Sequence, residues 1–198
     1  MKTALSEWLA LTDQNKRNIF AETARYKALP ISSIEKDWWV VHTLSALFST
    51  EYVDKLVFKG GTSLSKVWHL IERFSEDVDV ALDREFLVEI GSRSLKEPYS
   101  QRNINTFVSE TFAGMPFIGS PVIVPTVNPE RTFLEKVFLL HEEYQRPLEK
   151  MRIERFSRHL YDIEKISQTP YLQKALSDKE LYNTIVNHRK RYSHLGRC

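Results

Sequence analysis

A single cysteine, Cys198, is all the thiol chemistry this 198-residue chain has. That excludes an internal disulfide and a thiolate metal cluster, and suits a reducing compartment. No apolar run approaches the roughly 18 residues needed to span a bilayer. The opening MKTALSEWLA also lacks the uncharged apolar centre of a signal segment. The expected location is therefore cytoplasmic, with no membrane partner. An excess of one charge is missing as well: 28 Lys and Arg against 26 Asp and Glu give a net charge of +2, too little to announce a polyanion binder. Repeats, low-complexity tracts and long linkers are absent. What remains, with 42% hydrophobic residues, is enough to bury one sizeable core, or a core plus a smaller helical lobe.

The distribution of apolar residues orders the chain. Ile19, Phe20, Tyr26 and Leu29 lie among good helix formers in a first helical region that ends at Pro30. Ser32 and Glu35 have capping-box spacing, and Ile34, Trp38, Val41, Leu44 and Phe48 recur along one face of the helix that follows. Trp38 and Trp39 are expected at the core or its boundary. Leu56-Val57-Phe58 is too short for a helix and reads as a buried strand closed by Gly60-Gly61. Thr62 or Ser63 then caps a short helix with Leu64, Val67, Trp68 and Ile71 on its inner stripe. DVDVAL (77–82), FLVEI (86–90) and PVIVP (121–125) have strand composition, and Gly91 to Gly119 is the loosest stretch. Asn128 and Pro129 open a helix expected to bury Phe133, Leu134, Val137, Phe138 and His141. In IERFSRHLYDIEKI, Ile153, Phe156, Leu160 and Ile163 form the predicted inner stripe, with Arg155, Arg158, His159 and Asp162 on another face. The basic end, Asn187 to Arg197, reads first as a solvated terminus and second as a phosphate-binding arm.

Chemistry concentrates in FKGGTSLSKVWHLIERFSEDVDVAL, Phe58 to Leu82. With Val78 between them on a strand, Asp77 and Asp79 face the same way, so their carboxylates converge on one site suited to a hard divalent cation. Alone, such a pair equally describes a solvated strand face. Upstream, a glycine turn between strand and helix lets the backbone approach a phosphate closely, its free N–H groups and the helix dipole meeting the anion. This is not a Walker loop, because Ser65 stands where the second glycine belongs and Val67 follows Lys66. Nor does GGTSLS match the dinucleotide fingerprint G-x-G-x-x-G. A phosphate cradle and metal carboxylates within one strand-helix-strand unit together describe a nucleoside triphosphate site.

KGGTSLSK, RFSEDVDVAL, PERTFLEKVFLLHEEY and SRHLYDIEKI, in that order from about Lys55 to Ile166, resemble the successive motifs of the AbiEii/AbiGii-type toxin nucleotidyltransferases. These are a branch of the polymerase-β-like superfamily. The resemblance implies an α+β fold: a small mixed sheet flanked by helices, with N-terminal helices and the nucleotidyltransferase core in residues 1–125 and a C-terminal helical lobe in 126–198. It implies that Gly60, Gly61, Thr62 and Ser63 hold the triphosphate of an NTP substrate, and that Asp77 and Asp79 hold Mg2+ or Mn2+. Glu89 would be a further metal carboxylate on a neighbouring strand. Lys136 corresponds to the family's essential lysine, which also contacts the nucleotide, and Asp162 to its last catalytic acid. The connection between DVDVALDREF and LVEIGSRSL is shorter than in relatives, which usually carry a helical insertion there.

The pattern itself offers Lys136 on the border of an apolar stripe, where a charge is costly unless it is paired or used; a snorkelling lysine fits equally. For Asp162 the plain alternative is an i,i+4 pair with Arg158. The activity that the resemblance implies is transfer of an NMP from an NTP to an acceptor, RNA first, with a tRNA 3' end as one candidate and a protein or small molecule as others, by the toxin of a toxin-antitoxin or abortive-infection system with a separate antitoxin protein. The alternative is a non-catalytic NTP-binding or antitoxin-pairing module of the same fold.

Overall fold

The computed structural model describes residues 3–75, 77–82, 98–151 and 156–192. It opens with α1 (Ala4–Ala10), α2 (Asp13–Lys27) and α3 (Ile31–Leu47). The hydroxyls of Thr3 and Thr12 accept the N–H of Ser6 and Asn15, each at 3.2 Å, and so start the first two helices. α2 stops at Ala28, whose left-handed backbone breaks the run before Pro30. α3 lacks the expected Ser32–Glu35 capping box. Pro30 occupies the cap position, and its carbonyl accepts from Ser33 and Ile34 instead. The stripe Ile34, Trp38, Val41, Leu44 and Phe48 is buried as its spacing predicts. Tyr26 is exposed, and Trp39 is 59% exposed because it lies one residue round the helix from that stripe.

The middle of the chain contains β1 (Leu56–Lys59), α4 (Gly60–Lys66), β2 (Asp79–Leu82), β3 (Tyr99–Ile104), α5 (Phe107–Thr111) and β4 (Val122–Val127). Among the described residues these strands form one sheet in the order β2-β1-β4-β3. β1 runs antiparallel to β2 and parallel to β4, while β3 and β4 are antiparallel, so the sheet is mixed. The small mixed sheet flanked by helices is the α+β class that the sequence predicts. β3 lies inside the stretch expected to be loosest. Its residues YSQRNI show no apolar alternation because it is largely exposed, and the ladder to β4 holds it. FLVEI and Glu89 lie outside the described residues, as do Ile153, Arg155, Arg197 and Cys198.

Alternation along β1 separates two cores. Leu56 and Phe58 pack with Ile104 and Val124 against Val40, Val41 and Leu44 of α3 and against Phe48, which caps it. Val57 joins Ala81 and Val127 on the other face. Full burial of Phe58 stabilises by about 1.5–3 kcal/mol. α4 is tied to α3 by the buried ion pair of Lys66 with Asp37, whose carboxylate also accepts the Phe107 N–H at 2.7 Å. Burial pushes Asp37 up and Lys66 down from their ordinary values, and each partner pulls the other part of the way back.

The C-terminal helices are α6 (Pro129–Tyr144), α7 (Phe156–Ser167), α8 (Tyr171–Ser177) and α9 (Lys179–Tyr192). Leu64 and Ile71 share a core with Phe133, Leu134, Ile166, Ala175, Leu181 and Ile185, which fixes α4 against these helices. Asn128 and Pro129 open α6 as predicted, although the Asn128 side chain bonds Ser100 and Glu130 rather than a backbone N–H. Val137 and His141, expected inside, are exposed, while Arg131, Lys136 and Glu143 are buried. In α7 Phe156 is buried and Ile163 packs against the core as predicted, but Leu160 is exposed and Asp162 fully buried. Arg131, Lys136, Glu143 and Asp162 lie inside in ion pairs with Glu135, with one another and with Arg146. The basic end is helical through Tyr192, and Arg189 donates from Nη2 to Glu142 at 2.8 Å. No helix among the described residues is long and apolar enough to cross a membrane.

Candidate active site

β1 runs straight into α4, and the junction admits only glycine at its first position. Gly60 has φ +84°, and a Cβ there would overlap the Asp79 carboxylate. The reason is register: Lys59, the last residue of β1, pairs with Asp79, the first of β2. Gly61 is required for a different reason. Its φ is not positive, but a Cβ would lie 2.6 Å from Nη2 of Arg73 and 3.1 Å from Oγ of Ser75. Gly60→Ala should cost about 1–2 kcal/mol for the left-handed backbone alone, with a further cost for displacing Asp79. Urea unfolding of the variant checks this, and an unchanged midpoint would contradict it.

The structure places Thr62 and Ser63 inside α4 rather than at its cap, which Lys59 occupies. Both are buried. The Thr62 hydroxyl donates to Ser75 Oγ at 2.9 Å, and the Ser63 hydroxyl donates to the Gly60 carbonyl at 2.9 Å. α4 has only seven residues, so its dipole adds little at the turn.

Asp79 begins β2, and Asp77 lies two residues ahead of it. Both are exposed, and among the described residues neither has a cationic side chain or hydrogen-bond donor as partner. Val78 and Val80 pack toward the α3 core, as the alternation predicts. Two carboxylates without a cationic partner, one of them against a glycine turn, fit a hard divalent cation. Among the described residues no group of three or more potential ligands supplements them.

The other half of the site comes from α6 and α7. Asp162 is 0% exposed and accepts two hydrogen bonds from Arg73: Nε to Oδ1 at 2.8 Å and Nη2 to Oδ2 at 2.7 Å. Lys136 Nζ lies 3.0 Å from the same Oδ2 and 3.4 Å from Nδ1 of His159. Burial alone would raise the Asp162 pKa, but the Arg73 hydrogen bond and the Lys136 charge outweigh it and hold the carboxyl below the usual carboxylate range. Arg158 is exposed and gives no sign of the i,i+4 pair that the sequence allows. One turn before Lys136 on α6, Arg131 donates to Glu135 at 2.9 Å, and Lys59 approaches Glu135 at 3.9 Å.

These contacts join residues far apart in sequence. Asp79 abuts Gly60, Gly61 abuts Arg73, Arg73 grips Asp162, and Asp162 holds Lys136. Arg73 and Ser75 are the members that sequence reasoning missed. They stand in RFSED, directly before the aspartate pair, but the carboxylate that gives Arg73 its meaning lies 89 residues away.

A family model described as "Nucleotidyl transferase AbiEii toxin, Type IV TA system" matches the chain over residues 42–87 and 82–197. Both halves of the site fall within these segments, which overlap at residues 82–87. Neither a curated protein nor a solved structure matches the chain.

Proposed function

The chain belongs to the AbiEii nucleotidyl transferase toxin family of type IV toxin-antitoxin systems, and from that premise we propose that it transfers an NMP from an NTP to an RNA acceptor, a tRNA 3' end being the favoured target. The observation that carries this reading is the continuous arrangement of Asp79, the Gly60-Gly61 turn and the Arg73–Asp162–Lys136 cluster.

In this mechanism the backbone of Gly60 and Gly61 receives the triphosphate, because the missing side chains let phosphate oxygens approach the N–H groups. Lys136, fixed by Asp162, lends positive charge to the phosphates. Asp77 and Asp79 would hold Mg2+ or Mn2+, which when bound neutralises phosphate charge and lowers the pKa of an acceptor hydroxyl. The acceptor oxygen attacks the α-phosphorus, the α–β phosphoanhydride breaks, pyrophosphate departs with the bonding electrons, and the hydroxyl proton passes to solvent. Asp162 is fully buried and already bonded to two cations, so its part is to position them rather than to take that proton. Rate enhancement then rests on orientation and preset electrostatics. A separately encoded antitoxin protein is the expected regulator.

Incubating the protein with each α-labelled NTP, Mg2+ and total RNA should place label in small RNA, with pyrophosphate release dependent on the metal. Absence of transfer with all four NTPs, to RNA or any other acceptor, would overturn the reading.

A further inference from the structure

We propose that Arg73 is a nucleotide-binding residue, whose guanidinium takes a triphosphate oxygen beside Gly61 while Asp162 sets its orientation. The inference rests on the nucleotidyltransferase reading above and adds to it a contact assigned to no residue so far.

Arg73 uses Nε and Nη2 on the two oxygens of Asp162. A guanidinium carries five N–H donors, and no described residue accepts from Nη1. The side chain is 22% exposed, so these donors are not sealed into the core. The charge count around Asp162 points the same way. Among the described residues one carboxylate faces two cations, Arg73 at 2.7 Å and Lys136 at 3.0 Å, which leaves one positive charge in excess there. An arginine that served only to brace α7 would need neither a second cation on the same oxygen nor a glycine beside it. Here Gly61 has no conformational need of its own, and what excludes a side chain is the guanidinium pressed against the turn. The arrangement presents forked donors, held in plane by a carboxylate, next to open backbone, which is the geometry that recognises phosphate oxygens.

The test compares unmodified protein with Arg73→Gln and Arg73→Lys, using NTPs, the corresponding nucleosides and inorganic tripolyphosphate as ligands in calorimetry. Arg73→Gln should weaken NTP and tripolyphosphate binding about 10- to 100-fold while leaving nucleoside affinity little changed. Arg73→Lys should restore part of the loss, because it keeps the charge but not the fork. In transfer assays the KM for NTP should rise more than kcat falls. A second measurement needs no variant: modification of Arg73 by phenylglyoxal, followed by mass spectrometry, should slow several-fold when tripolyphosphate or NTP is bound. Unchanged binding in a folded Arg73→Gln protein, or no protection of Arg73 by a ligand that demonstrably binds, would overturn the inference and leave the nucleotidyltransferase reading standing. Arg73-dependent tripolyphosphate binding without transfer to any acceptor would do the reverse. Failure of the unmodified protein to bind NTP or tripolyphosphate would sink both.

Discussion

Asp79→Asn is expected to lower NTP-dependent transfer by about a thousandfold or more, while the protein stays folded. The magnitude follows from losing one of the two carboxylates proposed to hold the metal, where charge neutralisation contributes several kcal/mol and each 1.4 kcal/mol is about tenfold in rate. Asparagine is the informative replacement because it preserves the shape that fills the space over Gly60 while removing the charge. Asp79 is exposed and without a cationic partner among the described residues, so folding has little stake in its ionisation. The assay is label transfer from the preferred NTP, with thermal unfolding measured alongside. Transfer within tenfold of the unmodified protein would remove Asp79 from the metal site and, with it, the assignment of the pair Asp77 and Asp79.

The second large effect belongs to Asp162→Asn, and it falls on stability and activity together. The substitution leaves Arg73 and Lys136 facing each other across an uncharged amide in a largely buried position, their side chains 22% and 10% exposed. Breaking a buried pair in this way costs about 3–5 kcal/mol, which for a chain of this size lowers the melting temperature by about 6–20 °C. Transfer should fall as well, because both cations lose their anchor. The pH dependence has a definite sign. Asp162 titrates below its ordinary value of 3.8 in the folded protein, so its contribution is fully present above that value. It is lost as pH falls through the depressed folded-state pKa. The stability gap between unmodified protein and Asp162→Asn, measured by urea unfolding, should therefore be constant near neutrality and close below about pH 4. A gap that widened on acidification would contradict the ion-pair account.

Much of the arrangement was legible in the linear pattern because its cause is local. Leu56 to Phe58 followed by two glycines predicts strand, turn and helix, and the alternation of DVDVAL predicts which side chains meet the core. The register of β2 on β1 adds the detail that Asp79, rather than Asp77, meets Gly60. The failures also have local causes. YSQRNI is a polar edge strand held by its neighbour, so no alternation marks it. Thr62 and Ser63 resemble cap residues, yet Lys59 is the cap and the helix begins at Gly60, which makes the turn itself.

Helices α6 and α7 show where periodicity stops informing. Apolar spacing assigns Leu160 and His141 to faces that they do not occupy and reads Asp162 as solvent-facing. An apolar stripe indicates burial only when the polar face has water to turn to. Here Arg73 reaches from the loop after α4 and Lys136 from α6, and both pair with Asp162, so its charge is compensated inside the protein. By itself, the sequence determined the elements whose cause lies within a few residues: the buried strand β1, the glycine turn, the paired aspartates and the apolar stripe of α3, together with the motifs by which the family is known. The tertiary structure alone decided that Asp162 is buried, that Arg73 grips it and that the Arg73 guanidinium lies against Gly61. Each of these depends on a contact between residues tens of positions apart, and charges at that separation attract one another only after the chain has brought them together.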